Sequence, residues 1–125
     1  MGWLKGVSVF AVISALLILL APAALQAGGR GFRNEHLLDE HYDKHGREFG
    51  AISRLEYLKM AQSLRDAKLG SEILESHRPD GRVARFDKRK GWFVVFDGDG
   101  TLSTFFVPND GVRYFYRQAN TYGGR

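Results

Sequence analysis

Two segments of the chain repeat apolar side chains at helical spacing. One runs from Asn34 to Gly46 and the other from Ser53 to Gly70, with an apolar residue every three or four positions. Such a stripe predicts an amphipathic helix that packs against a core. Asn34 is a suitable N-cap for the first helix, and Ser53 with Glu56 forms a capping box for the second. Each glycine marks the expected end of its helix.

The hydrophobic period changes after residue 81 to that of short strands. Four segments are rich in β-branched and aromatic residues: RVARF, GWFVVFD, TLSTFFVP and VRYFYRQ. The turn sequences DKRKG, GDG and NDG separate them, which predicts a four-stranded antiparallel meander. Residues 71–81 are expected to be a connection with a Pro-Asp-Gly turn. The predicted fold class is therefore α+β, with two N-terminal helices packed on the sheet.

The alternation of side chains along the third predicted strand is expected to divide its residues between two faces. The two sets are Leu102, Thr104 and Phe106 on one face, and Thr101, Ser103 and Phe105 on the other. Both sets contain apolar groups, so the alternation does not distinguish an open face from a covered one.

The first 27 residues differ from the rest of the chain. Lys5 is followed by an uncharged apolar run over residues 7–27, with small residues around Pro22. This pattern predicts a secretory signal that directs the chain to the Sec export machinery, and the alternative is a retained inner-membrane anchor. We expect a secreted or periplasmic protein. Its parts would be the signal 1–27, a flexible lead-in 28–33, a folded domain 34–118 and a tail 119–125.

Composition limits the class of protein further. The chain has 125 residues, enough for one small domain, and it contains no cysteine. An exported domain without disulfides is more typical of bacteria than of small eukaryotic secreted scaffolds. The formal net charge of +4 permits a polyanionic partner without requiring one. Nothing in the composition implies a cofactor, and a monomer is expected.

The motif DGDGT, from Asp97 to Thr101, follows an apolar strand and resembles the nucleophile motif of haloacid-dehalogenase phosphatases. Those enzymes need further residues from later parallel strands, and each parallel crossover takes a dozen or more residues. The segments after Thr101 are expected to be antiparallel strands, which excludes such crossovers. A calcium loop would need an acidic ligand where Pro108 stands. The motif therefore favours a tight turn between two strands.

His41 and His45 are four residues apart and share one face of the first predicted helix. The pair permits a zinc site, but no third ligand is evident nearby, and we assign no metal ligand. It also permits ordinary packing of one ring with the other solvated. A third possibility is acid–base chemistry by His45, which lies at a helix C-terminus beside Lys44 and Arg47.

Three motifs together resemble one class of bacterial toxins. They are KHGREFG, from Lys44 to Gly50, then EYLKMAQSL in the second helix, then RFD followed by GWFVVFDGDGTLSTFFVP in the sheet. This order is similar to the barnase–EndoU–colicin–RelE-like ribonucleases, and within them to the colicin D-like and polymorphic-toxin members. The resemblance covers about residues 34–116.

The resemblance implies a metal-independent endoribonuclease toxin that cleaves RNA by transesterification, with tRNA or another structured RNA as substrate. It implies His45 as acid and base, Lys44 as phosphate partner, Arg85 as a second cation and Thr104 as a hydrogen-bond donor to phosphate. Residues expected to contact the substrate are Arg47, Ser103, Tyr114 and Tyr116. An immunity or inhibitor protein is an expected partner.

A non-catalytic periplasmic or envelope binding module of the same fold is the alternative. Tyr114 and Tyr116 would then bind a partner from one face of the last predicted strand. The two hypotheses differ in geometry, because a ribonuclease requires His45, a cation and Thr104 to meet in one cleft. A binding module predicts that these residues are scattered.

Overall fold

The computed structural model describes residues 29–123. The segment expected to be a signal or an anchor, residues 1–27, lies outside the described residues. Within residues 29–123, no helix combines the length and the apolar composition needed to cross a membrane.

Two capped helices open the domain, as the sequence predicts. Helix α1 spans Glu35–His45 and continues into a short 3-10 helix, Gly46–Phe49, while helix α2 spans Arg54–Asp66. The Asn34 side chain accepts a hydrogen bond from the first turn of α1. At the start of α2, both bonds of the predicted capping box are present. Helix α2 ends at Asp66 rather than at Gly70, so only its C-terminal boundary was misplaced.

The sheet is a four-stranded antiparallel meander that contains three of the four predicted strands, while its remaining strand lies elsewhere in the chain. The strands are β1 Ile73–His77, β2 Val83–Asp87, β3 Trp92–Phe96 and β4 Leu102–Phe106, in that spatial order. Strand β1 lies in the segment that we expected to be a connection. The Pro-Asp-Gly sequence forms the hairpin turn from β1 to β2, and Arg85 consequently lies in the second strand.

The segment predicted as the last strand is a helix instead. Helix α3 spans Val112–Tyr122 and also includes most of the expected tail. Val112, Phe115 and Ala119 recur at helical spacing and pack against the sheet. Tyr114 and Tyr116 therefore do not share a strand face, because two positions on a helix differ in direction by about 200°.

The sheet has a hydrophobic core on each face. Helices α1 and α2 cover one face, and the fully buried side chains of this first core include Tyr57, Val94 and Phe105. Helix α3 covers part of the other face, where Phe93 and Phe115 belong to the second core. Apolar residues on both faces of β3 explain why its sequence shows a continuous apolar run rather than alternation.

A β-bulge in β4 overturns the predicted alternation of that strand. Val95 pairs with Thr104, but Phe96 pairs with Leu102, which leaves Ser103 without a partner in the register. An extra residue reverses the face on which the following side chains lie. Leu102 and Phe105 consequently both enter the first core, whereas Thr104 lies on the face of α3.

The DGDGT segment is the turn between β3 and β4, as predicted. The Asp97 amide donates to the carbonyl of Thr101 at 2.8 Å, and the Gly100 amide donates to the carbonyl of Asp97 at 2.9 Å. Gly100 has a φ of 92°, in the region that favours glycine. The Asp99 carboxylate accepts from the Thr101 amide within the turn.

Residues 29–33, which we expected to be part of a flexible lead-in, lie along the outer edge of β4. We call this segment the strap. The Leu102 amide donates to the carbonyl of Gly31 at 2.9 Å, and Phe32 forms a parallel bridge with Leu102. The strap covers part of the edge of β4, whose backbone groups would otherwise face solvent.

Tyr57 offers a direct test of how α2 is attached to the sheet. Its hydroxyl group donates to the carbonyl of Phe105, and its side chain is fully buried. Replacing Tyr57 by Phe leaves that carbonyl without a donor, so we expect the free energy of unfolding in urea to fall by about 1–3 kcal/mol. The control is Tyr116→Phe on the exposed side of α3, which should change it by less than about 0.5 kcal/mol. Equal effects of the two substitutions would contradict this attachment.

Candidate functional site

A cleft opens between α3 and the sheet face that carries Thr104, and we call it the arginine cleft. Its volume is about 360 Å³. Arg78 and Arg82 enter it from the two ends of the β1–β2 turn, and Ser103 and Thr104 enter it from β4. Helix α3 contributes three polar side chains to the lining: Tyr114, Gln118 and Tyr122.

Arg78 is the cation of this cleft that lacks an ionic partner. Its guanidinium lies over the ring of Tyr122, 4.8 Å from the ring centroid. Among the described residues no carboxylate forms an ion pair with it, whereas Arg82 pairs with Asp80 at 2.8 Å. Burial lowers the pKa of Arg78 and the positive charge of Arg82 lowers it further, while the negative charge of Asp80 opposes both. A bound anion would stabilise the charged guanidinium, so the electrostatics favour an anionic ligand.

The bulge at Ser103 contributes to the polar lining of this cleft. Because of the bulge, two consecutive β4 residues, Ser103 and Thr104, both line the cleft. The Ser103 hydroxyl group lies 3.4 Å from a carboxylate oxygen of Asp97. The cleft therefore presents guanidinium and hydroxyl donors together, which is the set of donors that phosphate oxygens accept from.

His45 is held at the end of α1 by a carboxylate. Its Nδ1 lies 2.8 Å from Oε2 of Glu48, and the other oxygen of Glu48 accepts from the Val107 amide at 2.8 Å. A carboxylate partner assigns the proton of the neutral ring to Nδ1, which leaves Nε2 as the nitrogen that can accept a proton. The His45 ring also stacks on Phe106, with centroids 5.2 Å apart.

Two aromatic rings, those of Phe106 and Tyr114, lie between His45 and the arginine cleft. Phe106 contacts His45 on one side and lies 5.4 Å from the ring of Tyr114, which lines the cleft. Thr104 precedes Phe106 by two residues on the same strand face, a separation of roughly 7 Å. His45 itself is not among the residues that line the cleft, so His45 and Thr104 do not meet in one cleft as the ribonuclease hypothesis requires. A ligand longer than a single phosphate would be needed to contact both.

Arg85 is placed elsewhere, with a structural role. It lies on the face of the first core, where its Nε donates to Glu75 at 2.6 Å. Its Nη1 donates to three carbonyls at the end of α2, those of Leu64, Arg65 and Ala67. These bonds satisfy backbone carbonyls that a helix C-terminus leaves open. Arg85 therefore caps α2 and does not line the cleft.

The other predicted contact residues divide into two groups. Ser103, Thr104 and Tyr114 are together in the arginine cleft. Lys44 and Arg47 are exposed near the end of α1. Tyr116 is 53% exposed on α3 and packs edge-on against Phe115. Structure thus brings three of the predicted residues together and leaves Lys44, Arg47, Arg85 and Tyr116 outside that cleft.

The Nδ1 atom of His41 is buried and has no hydrogen-bond partner among residues 29–123. Burial lowers the pKa of His41, and the neighbouring His45 lowers it further. In residues 29–123, no group of three histidine or carboxylate side chains is arranged to hold a metal ion. The geometry therefore gives no support to the zinc alternative at this pair.

The sequence interpretation missed Arg78, Arg82, Gln118 and Tyr122. The first two flank the Pro-Asp-Gly turn, and a hairpin at that turn would have placed two cations side by side. If residues 71–81 were a connection, as the sequence suggests, this pair of arginines would not be expected. The other two are on α3, and the helical spacing of Val112, Phe115 and Ala119 was the available signal for that helix.

The site has to be interpreted from its own residues, because no protein-family model matches the chain and no curated protein does either. Its chemistry has two parts. The arginine cleft supplies charged and neutral donors for an anion, and His45 supplies a proton acceptor whose orientation a carboxylate fixes.

Replacing either arginine by methionine distinguishes the structural role of Arg85 from the ligand-binding role of Arg78. Arg85→Met removes the cap of α2 and leaves the Glu75 carboxylate without its arginine, so unfolding in urea should require about 3 kcal/mol less. Arg78→Met removes a cation that forms no ion pair in the described part of the chain and should lower that free energy by no more than about 1 kcal/mol, through the lost contact with Tyr122. A stable Arg85→Met protein would refute the capping role.

Proposed function

We propose that this domain binds RNA through the arginine cleft and cleaves it with His45, as a metal-independent endoribonuclease. The observation that carries the proposal is Arg78, a partly buried guanidinium that forms no ion pair within residues 29–123, in a cleft lined with hydroxyl groups. Arg78 takes the place that the sequence interpretation gave to Arg85. The resemblance of the KHGREFG and DGTLSTFF segments to ribonuclease toxins supports the same reaction.

Phosphate binding is the first step of the proposed reaction. Arg78 would offset the charge of one phosphate, with Arg82 beside it paired to Asp80, and the Thr104 hydroxyl group would donate to a phosphate oxygen. These donors are fixed by the β1–β2 turn and by the bulge, so little rearrangement would accompany charge development on the phosphorane.

Proton transfer is the second step. Nε2 of His45 would accept the proton of a ribose 2′-OH, and the resulting oxygen would attack the adjacent phosphorus and displace the 5′-oxygen. Burial raises the pKa of Tyr114 while Arg78 opposes that shift, so its hydroxyl group stays protonated at neutral pH. Tyr114 would donate its proton to the leaving 5′-oxygen. Solvent would then return to Tyr114 the proton that His45 had accepted.

In the wider proposal, the chain is an exported bacterial toxin. The apolar N-terminal segment supports secretion or delivery to the periplasm, and the net charge of +4 suits an RNA substrate such as tRNA. An immunity or inhibitor protein would then act by covering the arginine cleft.

A second function is favoured by a specific observation. His45 is packed against Phe106, bonded to Glu48 and absent from the lining of the cleft. These contacts also suit a purely structural histidine. The domain would then be a non-catalytic periplasmic or envelope module that binds an anionic partner in the arginine cleft.

RNA cleavage in the presence of EDTA tests the proposed reaction. The purified chain should cleave RNA, and His45→Ala should lower kcat by at least about 100-fold because a general acid–base group is lost. His36→Ala provides a matched control on the same helix, since the His36 side chain is 80% exposed. Circular dichroism should show that both variants are folded. Failure of the wild-type chain to cleave RNA, or full activity of the His45 variant, would refute the reaction.

RNA binding by Arg78 variants distinguishes the two functions. Arg78→Met should weaken binding of a single-stranded RNA oligonucleotide about tenfold. The slope of log K against the logarithm of the salt concentration should also fall by about the amount expected for one phosphate contact. Arg113→Met removes an exposed cation of α3 outside the cleft and should change neither quantity. Loss of binding together with cleavage by the wild type supports the ribonuclease. The binding module predicts the same loss of binding without any cleavage, and unchanged binding contradicts both functions.

A further inference from the structure

The strap follows a path that several contacts fix. Arg65 is buried, and its guanidinium donates to the carbonyl of Arg30 in the strap and to the carbonyl of Gly100 in the β3–β4 turn. The Gln62 amide lies 3.3 Å from the carbonyl of Gly29. A Cβ on Gly29 would lie only 2.6 Å from the Arg65 guanidinium, so the strap lies directly against that side chain.

Phe32 connects the strap to the histidines of α1. Its ring stacks on His41, with centroids 4.8 Å apart and planes inclined by 20°. The His41 ring stacks in turn on His45 at 6.2 Å, and His45 stacks on Phe106 at 5.2 Å. We call these four rings the histidine stack. It runs from the strap to the residue next to the arginine cleft.

On the side of Nδ1, the His41 ring is held in place by packing and not by a hydrogen bond. That nitrogen is buried and makes no hydrogen bond within the described part of the chain. The position of the ring therefore depends on the rings that contact it, Phe32 and His45. Glu48 holds Nδ1 of the His45 ring and the Cβ–Cγ bond holds the neighbouring ring atom, which leaves rotation about that edge of the ring. Contact with flat neighbours restricts that rotation.

We propose that Phe32 is a positioning residue, which acts through His41 to keep the His45 ring stacked on Phe106 beside the arginine cleft. The catalytic part of this proposal rests on the proposed ribonuclease function. The strap is then a part of the site, although it contributes no group to the chemistry. The charged and titratable groups around the two histidines are Glu40, Lys44 and Glu48.

The test compares two substitutions of Phe32 in the purified chain. Phe32→Leu removes the flat ring, so NMR signals of the ring protons of both His41 and His45 should shift. With RNA as substrate, kcat should fall about tenfold while KM stays within about twofold, because His45 is misplaced and the phosphate donors are intact. Phe32→Tyr keeps the ring and should restore both readouts to nearly wild-type values. Phe32→Met gives the same test if the leucine variant does not fold.

Phe86→Leu is the matched control. Phe86 is buried in the second core, where its ring contact is with Phe115 rather than with a ring of the histidine stack, so the substitution should lower stability without shifting the histidine signals. A His45 signal that stays unchanged in Phe32→Leu while the His41 signal shifts would overturn the positioning role. So would a loss of kcat no greater than that in Phe86→Leu.

The NMR measurement needs no RNA, which separates this proposal from the proposed function. If the wild-type chain cleaves no RNA, the ribonuclease and the catalytic part of the Phe32 proposal both fail. The shift of the His45 signal in Phe32→Leu still decides whether the strap positions that ring.

Discussion

The bulge at Ser103 is the local constraint on which the candidate site depends. Because Ser103 has no partner on β3, Leu102 and Phe105 both enter the core under α1 and α2, while Thr104 lies on the opposite face. That single irregularity closes the first core and supplies hydroxyl groups to the arginine cleft. Bulges commonly redirect side chains near functional sites. A regular strand of this sequence would place either Leu102 or Phe105 on the face of α3 instead of in the first core.

Much of the fold was predictable because local signals agree with the tertiary structure. The capping residues Asn34 and Ser53 start the two helices where we expected them, and the DGDGT turn joins two strands. The wrong secondary-structure predictions fall on segments whose sequence fits more than one type of structure. Residues 112–122 contain aromatic side chains typical of strands, and packing on the second sheet face makes them helical. Conversely, three of the five residues of β1 are polar, so its sequence resembles a connection.

The candidate site was predictable only in part, because it depends on contacts between distant segments. Sequence motifs identified His45, Thr104 and Tyr114, which lie in or next to one region. They could not show that Arg85 would cap α2, or that Arg78 would form no ion pair within residues 29–123. The fold decides which carboxylates and carbonyls lie near a cation, and these determine its hydrogen bonds and ion pairs. The ordered path of the strap also depends on such a distant contact, with Arg65.

The proposed ribonuclease function requires the arginine cleft and His45 to act on one ligand, although the rings of Phe106 and Tyr114 lie between them. The most direct measurement is an NMR titration of the purified chain with a dinucleotide whose 2′-oxygen at the scissile position is absent, so that it binds without being cleaved. The account predicts that signals of Thr104, Gln118 and His45 shift together, with one common dissociation constant. Shifts confined to the cleft, with His45 unchanged at saturation, would contradict it.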